Sequence, residues 1–167
     1  MNFERHTNRR LFEEHAATLG LLARTEAVFT GRAGGYPPKA DDAGWRNFAV
    51  TLAGAIEGEV ARHFDFEEQD LFPVLDRAGE ADLVALLEEE HAIILAAARP
   101  LAILARRSLA TSLSAAEWQT MKILALEFSE RLGSHAQKED GALLPLLEEL
   151  LDAETDRDLF NAYVATA

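Results

Sequence analysis

Apolar residues recur at three-then-four spacing through four long stretches of the chain, the pattern of a helix that buries one face. The stretches are rich in Ala, Leu and Glu, all good helix formers. They predict helices over about 4–30, 44–77, 80–107 and 114–151, with a short tail helix after Asp152; such boundaries are good to about 2–4 residues. No stretch alternates with the period of two that marks a strand. The breaks are few. Residues 31–44, GRAGGYPPKADDAG, read as a loop, and shorter breaks fall near Arg77-Ala78-Gly79 and between Ser108 and Ser114. Short connections between long helices predict an all-α fold, an up-down antiparallel four-helix bundle with a short C-terminal tail helix. Residues 1–167 read as one domain.

The apolar stripes are clean except near the middle of each helix. The first runs Leu11, His15, Leu19, Leu22, Phe29. The second runs Trp45, Phe48, Leu52, Ile56, His63, Glu67, Leu71, Val74. The third runs Val84, Leu87, His91, Ile94, Ala98, Leu101. The fourth runs Trp118, Met121, Phe128, Leu132, His135, Glu139, then Leu143 or Ala142, then Leu146. Each seam therefore meets a histidine, and two of them a glutamate, where a core residue belongs.

An internal repeat picks out the same positions. His63-Phe-Asp-Phe-Glu67-Glu-Gln-Asp-Leu71-Phe-Pro73-Val-Leu75 recurs as His135-Ala-Gln-Lys-Glu139-Asp-Gly-Ala-Leu143-Leu-Pro145-Leu-Leu147, without a gap, at an offset of 72 residues. The other two helices share Glu13-Glu14-His15 and Glu89-Glu90-His91. The chain thus reads as two helical hairpins, each with one lone His and one His-x-x-x-Glu. Residues four apart share a helix face, so His and Glu in that motif point the same way.

Packed together, the hairpins would gather four imidazoles and two carboxylates at one height in the bundle. Six polar groups buried without partners would cost several kcal/mol each. A pair of metal ions would remove that penalty, each carboxylate bridging both ions and each ion taking two imidazoles. Such ions would lie about 3.5–4 Å apart, as in other two-metal sites, with room for a bridging oxide or hydroxide. Imidazole and carboxylate without thiolate suit iron or manganese, with zinc as a further alternative. A lone seam histidine is more often a hydrogen-bonded core residue, but four of the five histidines lie on seams. A salt-bridge network would need Arg or Lys on the same faces, where only Arg131 is close. His6 falls on the opposite face from His15 and reads as solvated. Glu88-Glu89-Glu90 reads as a solubilising run. Pro73 and Pro145 mark the weakening of a helix near its end.

Composition narrows the function classes. The chain has 167 residues, no cysteine and a formal net charge of −13. The charge disfavours nucleic acid and anionic membrane as partners. The missing thiols remove disulfides, thiolate metal sites and cysteine nucleophiles. Ala92–Ala105, the longest apolar stretch, is broken by Arg99-Pro100 and is shorter than a membrane span of about 18 residues. The charged start, MNFERHTNRRLFEEH, is unlike a signal peptide. The expectation is a soluble, cytoplasmic domain.

Lone His, His-x-x-x-Glu, lone His, His-x-x-x-Glu on successive helices resembles the hemerythrin-like (HHE) cation-binding domain family. The likeness covers roughly residues 8–150, and the phrase from His63 to Leu75 is particularly close to the family's second-helix signature. The resemblance implies two iron ions, oxo- or hydroxo-bridged, held by His15, His63, Glu67, His91, His135 and Glu139, with Glu67 and Glu139 bridging. Asp140, at His-x-x-x-x-Asp spacing from His135, is the runner-up for the second bridge. The ferritin-like alternative requires Glu-x-x-His on two helices; here only Glu88-x-x-His91 fits, because Phe12, Val60 and Leu132 precede the other histidines by three.

One departure bears on function. Oxygen-carrying hemerythrins place a second His one turn from the first on the third helix, where this chain has Leu87 and Leu95. The missing nitrogen argues against reversible oxygen carriage. Glu59, four residues before His63 and between Ile56 and His63 on the seam, is expected to face inward and bind the metal or orient a ligand. The resemblance then implies a non-haem di-iron protein that binds or senses a small ligand (oxygen, nitric oxide or peroxide) or iron itself. An iron-dependent regulatory module and a di-iron peroxide-reducing enzyme are the alternatives. Either accommodates a protein partner or a homodimer.

Overall fold

Four long helices and one short one arise where the sequence pattern places them, and local capping chemistry sets their ends. The computed structural model describes residues 3–165, with the backbone alone described at Arg32 and Ala33. The termini of the expected domain, residues 1–2 and 166–167, lie outside the described residues. Helix α1 is His6–Thr30. Helix α2 covers residues 43–78. It starts where the Asp42 side chain accepts the Trp45 N–H at 2.8 Å, and ends at Gly79, whose φ of 96° suits a residue without a Cβ. Helix α3 is Ala81–Ser108 and runs through Pro100 without a break. Helix α4 covers residues 115–150 and begins with a reciprocal cap between Ser114 and Glu117. Helix α5, Ala153–Ala165, starts beside Asp152, which accepts the Thr155 N–H at 2.8 Å. Among the described residues there is no strand.

Helix α1 has no side-chain cap of its own, and its free N–H groups are satisfied from other helices. Glu148 on α4 accepts from Glu4 N and Arg5 N, and Asp156 on α5 accepts from His6 N and Thr7 N, both at 2.9 Å. Burial raises the Asp156 pKa, but these backbone donors outweigh it and hold the carboxyl below its ordinary value. A carboxylate with a depressed folded-state pKa stabilises the fold above its unfolded pKa, and the contribution fades as pH falls through the folded value. Asp156→Asn is expected to cost about 1–2 kcal/mol at neutral pH. Denaturant melts should show the difference from the parent shrinking below about pH 4.

Two pairs of helices run in opposite senses. Asn8 meets Leu144 and Leu22 lies against Gly133 between α1 and α4; Trp45 meets Ser108 and Glu68 meets His91 between α2 and α3. The interior is two apolar cores. One holds Phe29, Trp45, Phe48, Leu52, Leu101 and Trp118, and the other Leu11, Phe72, Leu75, Leu87, Leu143 and Leu147. Full burial of each such side chain contributes about 1.5–3 kcal/mol. The first core is closed by the loop after α1, where Trp118 Nε1 donates to Gly34 O at 2.9 Å. A Cβ at Gly34 would lie 2.3 Å from Phe29 O, so this turn tolerates only glycine.

Three stretches have the wider π-helical turn, Ala55–Val60 and Glu67–Leu71 in α2 and Glu139–Leu143 in α4. The last two begin on the repeated glutamates and keep the 72-residue offset. Pro73 and Pro145 stand two residues past their ends. A proline lacks an N–H and clashes with the carbonyl four residues back, and a π turn relieves both demands. The prolines therefore mark these turns, and each helix continues to Ala78 or Leu150. The extra residue per turn also rotates the faces. Leu75 and Leu147 are buried where the seam predicted Val74 and Leu146, which are half-buried, and Leu143 takes the inward place over exposed Ala142.

Candidate metal centre

Between the two apolar cores lies a polar layer made of His15, His63, Glu67, His91, His135 and Glu139, all buried. They form two groups able to hold a metal ion: His15, His63, Glu67 and Glu139, and His91, His135, Glu67 and Glu139. Each glutamate belongs to both. Glu67 sets Oε1 at 3.3 Å from His63 Nε2 and Oε2 at 3.3 Å from His91 Nε2. Glu139 sets Oε2 at 3.2 Å from His15 Nε2 and Oε1 at 3.1 Å from His135 Nε2. The repeated π turns start at these two residues, which places the widening of α2 and α4 at the layer itself.

The outward nitrogens explain how the imidazoles are aimed. His63 Nδ1 faces Glu14 at 3.2 Å, His91 Nδ1 faces Glu68 at 2.8 Å, His135 Nδ1 faces Glu90 at 2.9 Å, and His15 Nδ1 faces Asp140 at 2.6 Å. Each of the four long helices thus supplies a histidine to the centre and a carboxylate to a neighbour's histidine, from α1 to α2, α2 to α3, α3 to α4, and α4 back to α1. A carboxylate that accepts Nδ1–H fixes the tautomer and ring orientation of a metal-binding histidine and raises its basicity. In the neutral ring it also leaves the Nε2 lone pair pointing inward.

This arrangement calls for cations. His15 and His63 bring their Nε2 atoms to 3.3 Å, and His91 and His135 to 3.0 Å. All four oxygens of Glu67 and Glu139 are buried and lack a donor in hydrogen-bond geometry, despite the nearby imidazoles. Burial would lower the pKa of His63, but Glu67 and Glu14 raise it well above its usual value; burial also opposes, and Glu139 outweighs it to raise, those of His15 and His135. Burial likewise pushes Glu67 and Glu139 up, and the histidines beside them more than reverse it. The orphaned oxygens, the convergent nitrogens and the absence of sulfur fit a pair of borderline-hard cations such as iron.

The surroundings differ on the two sides. Phe64 stacks on His91 at 3.7 Å between ring centroids, and Phe72 lies on the same imidazole at 5.6 Å. Leu87, fully buried, belongs to the second apolar core. A cavity of about 370 Å³ reaches the other side, with exposed Glu13 and Glu59 and buried His15, His63, His135 and Glu139 in its walls.

Several residues stand apart from expectation. Glu59 is exposed, because the π turn at Ala55–Val60 advances the seam by one residue and buries Val60. It lines the cavity but is not among the grouped ligands. Asp140 is half-buried and orients His15, while Glu139 faces the centre. Glu88 is exposed, but Glu90, in the same run, is half-buried between His135 and Lys138. His6 is exposed. The cations near the layer are Arg10, Arg62 and Lys138, which pair with the outer carboxylates Glu14 and Glu90; Arg131 pairs with Glu127 at the surface. The outer carboxylates had a sequence signal. Glu14 and Glu90 each precede a seam histidine in the shared phrase, and Glu68 and Asp140 follow the repeated glutamates.

No helix among the described residues is long and apolar enough to cross a membrane. A family model described as hemerythrin HHE cation binding domain matches residues 6–147. No curated protein matches the chain.

Proposed function

Since the chain belongs to the hemerythrin HHE cation-binding domain family, we propose that it is a non-haem di-iron protein that binds or senses a small ligand. We take the pairing of its long helices as the family's up-down antiparallel four-helix bundle. The ligands in this reading are His15, His63, Glu67, His91, His135 and Glu139, with Glu67 and Glu139 bridging. Iron is the metal the donor set and family favour, with manganese and zinc the alternatives.

The observation that carries the reading is the set of four buried carboxylate oxygens without donors, facing four convergent Nε2 atoms. Protein groups supply no N–H to these oxygens; two cations shared between the carboxylates would satisfy them instead. Bound iron would supply Lewis-acidic, redox-active positions there. The chain's own part is to hold the imidazoles by their Nδ1 atoms, to exclude water with Phe64, Phe72 and Leu87, and to leave a path along the cavity. That cavity supports a small-ligand role such as oxygen, nitric oxide or peroxide binding. Leu87 and Leu95, at the two positions one turn from His91 where oxygen carriers would place a further histidine, support sensing or scavenging over carriage. A cytoplasmic setting is part of this proposal.

Ultraviolet–visible spectra of the iron-loaded protein test it. A charge-transfer band that shifts with oxygen, nitric oxide or peroxide is the expected result. Steady peroxide turnover would move the reading to a peroxide-reducing enzyme. A metal-dependent fold with no ligand-responsive band would move it to a regulatory module.

A further inference from the structure

We propose that Tyr163, on α5, is a positioning residue for His63 and acts through Glu14. The inference rests on the metal reading above but concerns a helix beyond residues 6–147, the segment that carries the family match. Tyr163 is 2% exposed. Its hydroxyl donates to Glu14 Oε2, the same oxygen that faces His63 Nδ1 at 3.2 Å. The other oxygen, Oε1, forms an ion pair with Arg10 at 2.8 Å and accepts from Arg62 at 3.2 Å.

The physical role follows from how a carboxylate is held. A glutamate fastened at one oxygen can turn about its last side-chain bond and swing the lone pair that receives a histidine N–H. With donors on both oxygens, the plane of the Glu14 carboxylate is fixed, and with it the direction of the bond to His63. The two arginines reach it from side chains 40% and 25% exposed, so their hold is open to water. Tyr163 donates from a ring that cannot wander. Its centroid lies 4.4 Å from that of Phe66, and the Arg62 guanidinium carbon sits 5.3 Å over its face. Arg62 immediately precedes the His63–Glu67 motif and Phe66 lies within it, so α5 grips the segment of α2 that carries two ligands. Coupling of this kind is reciprocal: a cation seated at His63 also tightens the docking of α5.

The test titrates the metal-free full-length parent and Tyr163→Phe with cobalt(II), by calorimetry and visible absorption, at a temperature where circular dichroism shows both folded. Phenylalanine keeps the ring packing and removes only the hydroxyl. The parent is expected to take two ions, and the variant to hold one of them about 3–10-fold more weakly, less than the roughly 10–100-fold typical of losing a direct orienting partner. Glu14→Gln should show that larger loss, and adding Tyr163→Phe to it should cost nothing more, because the path runs through Glu14. Amide exchange in α5 should slow on metal binding in the parent and less so in Tyr163→Phe. Equal affinities in parent and Tyr163→Phe, equal weakening of both ions, or additive losses in the double variant would each overturn the proposal. A parent that binds no metal overturns the metal reading, and this inference with it.

Discussion

Stripping the metal from the loaded protein is expected to lower its melting temperature by about 15–30 °C. A ligand that binds only the folded state adds RT ln(1 + [L]/Kd), which is about 4 kcal/mol per ion at a thousandfold excess over Kd. Two ions add about 8 kcal/mol, and a chain of this length shifts by about 2–4 °C per kcal/mol. The effect is large because of where the ions would sit. The layer from His15 to Glu139 separates two apolar cores, and its four carboxylate oxygens have no donors from the protein. Buried polar groups left in that state oppose folding. Calorimetric scans before and after complete chelation measure the shift, and an unchanged midpoint would contradict a structural role for metal.

Replacing Glu67 or Glu139 with alanine is expected to weaken binding of both ions together. Each carboxylate presents one oxygen to the His15–His63 side or its equivalent and the other to the opposite pair, so neither group of four survives its loss. Asp140→Asn should cost about 10–100-fold, the range for an outer partner that orients a ligand. The glutamate variants should exceed that range, because they remove ligand atoms and not the aim of one imidazole. Stepwise affinities from a metal titration give the ranking. A larger loss from Asp140→Asn would make Asp140 the second bridge.

The polar layer was legible in the sequence because it depends on spacing within each helix. Four-residue separation puts His63 with Glu67 and His135 with Glu139 whatever the helices pack against. The repeat at 72 residues then ties α2 to α4. Leu11, Leu52, Leu101 and Phe128 obey the same rule as fully buried seam positions. Glu59 shows where that rule stops. Its inward place assumed an α-helical turn at Ala55–Val60, and one extra residue in a π turn carried it to the surface. Hydrophobic spacing has no term for such a turn, although Pro73 and Pro145 hint at two of them.

The outer carboxylates carry a local signal beside the motifs, but which histidine each serves was hidden for a different reason. Glu14, Glu68, Glu90 and Asp140 each serve a histidine on the next helix, so their roles depend on the register between helices. Within an acidic chain, Glu90 looks like its solvated neighbours Glu88 and Glu89. Tyr163 lies further still from any spacing argument, since it reaches Glu14 across 149 residues.

Elemental analysis of the protein purified without added metal, with the chain counted by amino-acid analysis, tests the central claim most directly. Two shared carboxylates and two histidine pairs predict two ions per chain, with iron in excess of manganese and zinc. One ion per chain in fully loaded protein, or none that survives purification or can be restored, would contradict it.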